Sequence, residues 1–224
     1  MDEITDEEIK QIRLALRGAI VNHIENDKKE NVKKELVRQM LFAIGENPDR
    51  PGLEETPDRV VKMWKEIFKG YDINNKPKIT VFDNGDDGIR YDEMISDEGG
   101  FHSHCEHHML VISGKYWFAY IPHPQGKVLG LSKIGRVVDY FSAKLQVQER
   151  LTHEIVEYLW TLLCDEKICK HPPIGMGLVL EAEHLCKTMR GVKKKGNMRT
   201  TILKGSLKTE PAARMEFMNW VNRK

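Results

Sequence analysis

Apolar residues recur every three or four positions through the first third of the chain, and the period then changes. Ile9, Ile12, Leu16 and Ile20 follow a Thr5/Glu8 capping pair, which predicts a helix over about 5–24. The charged stretch ENDKKEN reads as a connector. Val32, Leu36, Val37, Met40, Leu41 and Ile44 then form a second apolar face that stops at Gly45. In TPDRVVKMWKEIFKGY, Thr56 is placed to cap a third helix and Pro57 to occupy its first position, with Val60, Met63, Trp64 and Ile67 as the buried stripe and Gly70 as the stop.

Beyond residue 71 the Asp-, Asn- and Gly-rich segment 72–100 predicts at most short strands, KITVF being the clearest. HHMLVI, then SG, then KYWFAYI reads as two strands joined by a tight turn. Ser132 is placed to cap a helix with Ile134, Val137, Val138 and Phe141 inward. A further helix over about 148–163 buries Leu151, Ile155, Val156, Leu159 and Leu162. GMGLVLEAEHLC and MRTTILKGSL return to strand, and EPAARMEFMNWV closes with a helix. The expected architecture is α+β: a helical region over 1–71 followed by a mixed domain over 72–224.

Composition narrows the function classes only slightly. The 224 residues carry a formal net charge of +1, so no global electrostatic field calls for nucleic acid, and any basic site must be local. No run approaches the ~18 apolar residues of a membrane span, and the acidic start MDEITDEEIKQ is unlike a secretory signal, which places the chain in the cytoplasm. Cys105, Cys164, Cys169 and Cys186 are irregularly spaced, which suits thiols or metal ligands better than a disulfide framework.

The stretch HSHCEHHML packs one cysteine, four histidines and a glutamate into nine positions. Zinc takes thiolate sulfur and imidazole nitrogen, and catalytic sites use three protein ligands with one position left open. Cys105 and His108 make a local pair that needs a third donor from elsewhere. EAEHLCKTMRG is the other strand stretch rich in Cys and His, and on an extended strand His184 and Cys186 share a face. The economical assignment puts Cys105, His108 and Cys186 on the metal, with His107 and His184 as free imidazoles suited to proton transfer near neutral pH. His102, His104, His123, His153 and His171 read as ordinary surface or hydrogen-bonded residues. Cys164 and Cys169 read as incidental thiols rather than a competing metal pair.

CEHH, LGLSKIGRVVDYFSAKLQVQERLT and EHLCKTMRGV, together with IGENPDRPGLEETPDRVVKMW, resemble the GTP cyclohydrolase I family from about residue 32 to the end. The resemblance implies a T-fold domain, an antiparallel sheet with helices on one face, and usually a homodecamer with active sites between subunits. It implies zinc on Cys105, His108 and Cys186, acid–base roles for His107 and His184, and Gln148 with Glu149 at the guanine. Ser132, Lys133, Arg136 and Arg190 fall near the ribose and triphosphate, with Arg59 supplied by a neighbouring subunit. The implied reaction is hydrolytic opening of the guanine imidazole ring of GTP, releasing formate and forming 7,8-dihydroneopterin triphosphate, the first step toward pterins, folate or deazaguanines. The chain departs from the family's pattern at Val111 and Ile112, where a Pro-Phe pair is usual, in DEGGFHSH before the cysteine, and at Lys187 and Thr188.

Overall fold

A computed structural model describes residues 27–86 and 88–223. The chain divides into two compact units, 1–66 and 67–224. The helix expected over 5–24 lies outside the described residues.

In the first unit, α1 covers 27–43 and α2 covers Thr56–Ile67. The expected connector is therefore helical from residue 27 onward, because its Lys and Glu side chains are strong helix formers that need no apolar face. Only Val37 and Leu41 of the expected α1 stripe are buried, and Val32, Leu36, Met40 and Ile44 are exposed. In α2 the buried positions are Pro57 and Val61, one turn apart, and Met63 faces outward.

The second unit is built on a five-stranded sheet in the order β5-β2-β3-β6-β7, where β2 is Ile95–Cys105, β3 Val111–Ile121, β5 Leu145–Gln146, β6 Gly175–His184 and β7 Met198–Gly205. All pairings are antiparallel except β2 with β5. A separate ribbon pairs β1 (Val81–Asp83) with β4 (Lys127–Leu129).

Two expectations fail here for packing reasons. The segment DEGGFHSHC, expected to carry at most a short strand up to residue 100, lies wholly within an eleven-residue strand, β2. Its inward positions are filled by Phe101, Ser103 and Cys105, two of them too polar to advertise a strand. SG is not a turn but the middle of β3, where a side chain on Gly114 would lie 2.1 Å from the Glu181 carbonyl oxygen of β6. That glycine permits close strand approach rather than a reversal.

The helices α3 (Ser132–Ser142) and α4 (Gln148–Cys164) cover one face of the sheet. Ile134, Val137, Val138, Leu151, Ile155 and Leu159 pack there against Phe101, Ile112, Phe118, Leu178 and Leu180. Fully burying each such side chain is worth about 1.5–3 kcal/mol, which makes this layer the main source of stability. The opposite face is covered at Ala119 and Val179 by Leu207 of α6 (Ser206–Thr209) and Phe217 and Val221 of α7 (Pro211–Val221). Ser132 is the first residue of α3 and makes no capping hydrogen bond; the cap position is Leu131. No helix among the described residues is long and apolar enough to cross a membrane.

Candidate metal centre and substrate cleft

The candidate metal-ligating residues meet where β2 and β6 end. Cys105 is the last residue of β2, buried in the main core, and the chain turns back immediately behind it. The turn is tight because the amides of His108 and Met109 both reach the Cys105 carbonyl, at 3.3 and 2.7 Å, and Met109 adopts the left-handed conformation. The Cys105 amide in turn donates to the Leu110 carbonyl at 2.8 Å. The loop therefore lifts His107 and His108 into solvent with their Nδ1 atoms 3.8 and 3.9 Å from Cys105 Sγ.

The third donor arrives from a short helix rather than from a strand. β6 ends at His184, and Cys186 lies in α5 (Leu185–Thr188), so the shared-face argument from an extended strand does not apply. The helical turn still returns Cys186 toward Cys105. One ligand atom each from Cys105, His108 and Cys186 lie within 4.8 Å of one another, the one such Cys/His/carboxylate group of this kind among the described residues. Burial first, then the neighbouring Cys105 thiol, pushes the Cys186 thiol above its ordinary value. Two thiols crowded together in this way are relieved by a cation that takes both as thiolates, so the donor set fits a metal ion.

Both halves of the centre are braced by the first turn of α4. Glu106, inside the CEHH motif, is paired with Arg150, whose guanidinium also donates to Gln146 Oε1 at 2.9 Å and to the Leu145 carbonyl. The Glu106 amide donates to the Gln146 carbonyl at 3.1 Å. The hydrogen bond from Arg150 holds the Glu106 carboxyl below its usual value. On the other half, His184 Nε2 lies 2.7 Å from Gln148 Oε1, and burial lowers the His184 pKa, against the raising influence of Glu149. A neutral imidazole is thus favoured there. Arg190 donates to His108 Nε2, covering the outer side of that ring.

Gln148 and Glu149 part company in the structure. Glu149 is exposed, whereas the Gln148 side chain is wholly buried and turned into the protein, so it is not on the surface beside Glu149. Glu106, Gln146, Arg150, Thr152 and Thr200 were not singled out by sequence reasoning. For Glu106 and Arg150 the signal was position alone, one residue inside CEHH and one beyond Glu149.

Ser132 and Lys133 lie elsewhere. They line a cleft of about 620 Å³ with Thr80, Phe82, Asp97 and Tyr116, at the start of α3. Arg136 is exposed one turn further along that helix. The far end of α3 is the one that approaches the metal centre, through the hydrogen bond from Gln146 to the Phe141 carbonyl. On β2, Asp97 of the cleft is eight residues from Cys105, roughly 26 Å at the usual strand rise. One chain therefore presents a metal half and a Ser132/Lys133/Arg136 half that do not converge. Arg59 lies in the first unit, exposed and paired with Glu55 at 2.6 Å.

His104 departs from the expected surface or hydrogen-bonded place: its Nδ1 is buried without a hydrogen-bond partner and its ring packs edge-on to Phe68. Elsewhere His123 stacks on His171 at 4.8 Å, and His153 lies 3.6 Å from Glu157. Cys169 is buried and its thiol donates to the His171 carbonyl, while Cys164 is raised by burial.

A mostly antiparallel sheet backed by two helices, with two cysteines and a histidine gathered at one end, defines an α+β protein with a candidate metal centre. The sequence model of GTP cyclohydrolase I matches residues 33–222. The chain is 43% identical over 197 residues to GTP cyclohydrolase 1 of Caldanaerobacter subterraneus subsp. tengcongensis, covering 88% of this chain and 98% of that one. It is 44% identical over 187 residues to GTP cyclohydrolase 1 of Sinorhizobium fredii, covering 83% and 85%. For GTP cyclohydrolase 1 of Mycobacterium avium the identity is 43% over 190 residues, covering 84% and 87%. The chain belongs to the GTP cyclohydrolase I family, and its fold is the T-fold.

Proposed function

We propose that the chain catalyses the GTP cyclohydrolase I reaction: hydrolytic opening of the guanine imidazole ring of GTP, with release of formate and formation of 7,8-dihydroneopterin triphosphate. Family membership supports the reaction. The observation that carries its location is the meeting of Cys105, His108 and Cys186 within 4.8 Å, from segments far apart in sequence. Zinc is the cofactor this donor set suits, and when bound it supplies Lewis acidity beside the base. The chain's own groups do the rest. His184, neutral and held by Gln148, takes up a proton at Nδ1, and His107, exposed beside Cys105, returns one as the ring opens. Glu149 accepts from the N1 and N2 edge of guanine. Ser132 acts at the sugar, and Lys133, Arg136, Arg190 and a neighbouring subunit's Arg59 hold the triphosphate, their charge matching its roughly four negative charges.

The separation of the metal half from the Ser132/Lys133/Arg136 half supports an assembly in which each site is completed between subunits of a homo-oligomer, a decamer by family resemblance. In this reading the T-fold domain over 72–224 carries both halves and the helical region over 1–71 lends Arg59. The test is reversible chelation. Removing zinc should abolish formate release from GTP and re-addition should restore it, with the far-ultraviolet circular dichroism unchanged, since the apolar layer holds the sheet against its helices. Unfolding on chelation, with no formate at any stage, would instead mark a structural metal.

A further inference from the structure

Behind His184 lies a hydrogen-bonded ring that neither metal binding nor nucleotide contact requires. The buried Gln148 Nε2 faces the Leu180 carbonyl at 3.1 Å, the Met198 carbonyl at 3.0 Å and Thr200 Oγ1 at 3.1 Å. Two of these three can only accept, so the amide nitrogen belongs on that side and the oxygen faces His184. An amide oxygen donates nothing; across 2.7 Å the proton must therefore sit on His184 Nε2. Nδ1 is left with its lone pair.

The sense of the ring is fixed one step deeper. Thr152 Oγ1 donates its single proton to the Gln148 carbonyl at 2.7 Å. In its 2.7 Å contact with Thr200 Oγ1 it can then only accept, so Thr200 donates there and accepts from the Gln148 amide. Thr152 is wholly buried on α4 and Thr200 half-buried on β7, so the pair ties helix to sheet at the level of Gln148. Rotating the amide by half a turn would set its oxygen against two carbonyl oxygens and strand its donors toward an imidazole N–H, leaving buried groups unpaired.

We infer that Gln148 is a positioning residue: the Leu180 and Met198 carbonyls, with the Thr200 hydroxyl beside them, hold its amide in one orientation and thereby hold His184 as the Nε2–H tautomer, with Nδ1 left unprotonated. The inference rests on the reading of His184 as a proton-transfer group. Its test is the nitrogen-15 spectrum of histidine-labelled, zinc-loaded protein, with the His184 signals assigned by comparison with His184→Asn, alongside kinetics with GTP. Wild type should show His184 protonated at Nε2. Gln148→Met should mix the tautomers and lower kcat by about 100-fold, with KM for GTP within about twofold and zinc content unchanged, whereas Thr200→Val, which leaves both carbonyls to hold the amide, should keep the tautomer. A wild-type spectrum with the proton on Nδ1 overturns the inference whether or not any variant folds, as does a Gln148→Met protein with unaltered tautomer and kcat. Failure of the wild type to release formate would sink the functional reading alone, and the spectra would still decide the tautomer.

Discussion

His184 Nε2 and Gln148 Oε1 stand 2.7 Å apart, joining the end of β6 to the first turn of α4 beneath the metal centre. On this contact we propose that Gln148 serves the imidazole rather than the nucleotide. Gln148→Met should therefore lower kcat by about 100-fold while zinc content and the affinity for GTP stay near wild type. A variant that lost GTP affinity and kept kcat would return Gln148 to the substrate.

The other brace, Arg150 on Glu106, holds the turn that carries His108. Arg150→Met should weaken zinc binding by about tenfold, as loss of an outer support to a metal ligand commonly does. The pair also makes a pH prediction. Because Arg150 lowers the folded-state pKa of Glu106, its stabilisation is present above the ordinary carboxylate range and is lost as pH falls through the lowered value. The gap in thermal stability between wild type and Arg150→Met should thus be widest near neutrality and close in acid. A gap that is constant with pH would mean that the carboxylate is not involved.

Gly114→Ala should destabilise the protein by about 3 kcal/mol or more in urea unfolding, because the added methyl would meet the Glu181 carbonyl and the Ala182 backbone, which cannot move without parting β3 from β6. A change within ~0.5 kcal/mol would show that the strands are not held at that distance.

The same glycine shows why the sequence was legible in part. SG invites a turn, and nothing in the local chain reveals that β6 crosses so closely behind it. β2 was hidden because Ser103 and Gly99 occupy inward positions that would normally announce a strand by apolar alternation; Gly99 is kept small by the Tyr116 ring, 2.8 Å from where its Cβ would stand. α3, α4 and α7 were legible from the helical spacing of their apolar residues, β7 from its alternation, and β6 from an unbroken apolar run buried on both faces. Cys105, His108 and Cys186 were legible because metal donors are rare and their chemistry is specific. Arg150, Thr152 and Thr200 were not, since an arginine or threonine acquires its role only from what the fold sets opposite it.

Separation of the two halves on one chain gives a complementation test. Cys186→Ala and Lys133→Ala should each be inactive, but when the two are unfolded together and reassembled at equal amounts about a quarter of the sites should draw intact halves from different chains. Recovery of activity toward that level is expected. No recovery would place both halves in a single subunit's site.

The most direct measurement uses GTP labelled at C8 and zinc-loaded protein, following labelled formate together with the fluorescence of oxidised neopterin. Wild type should release formate in step with the pterin product, and Cys186→Ser should release none. Formate release that survives in Cys186→Ser, or its absence from the zinc-loaded wild type, would contradict the assignment of the reaction to the centre formed by Cys105, His108 and Cys186.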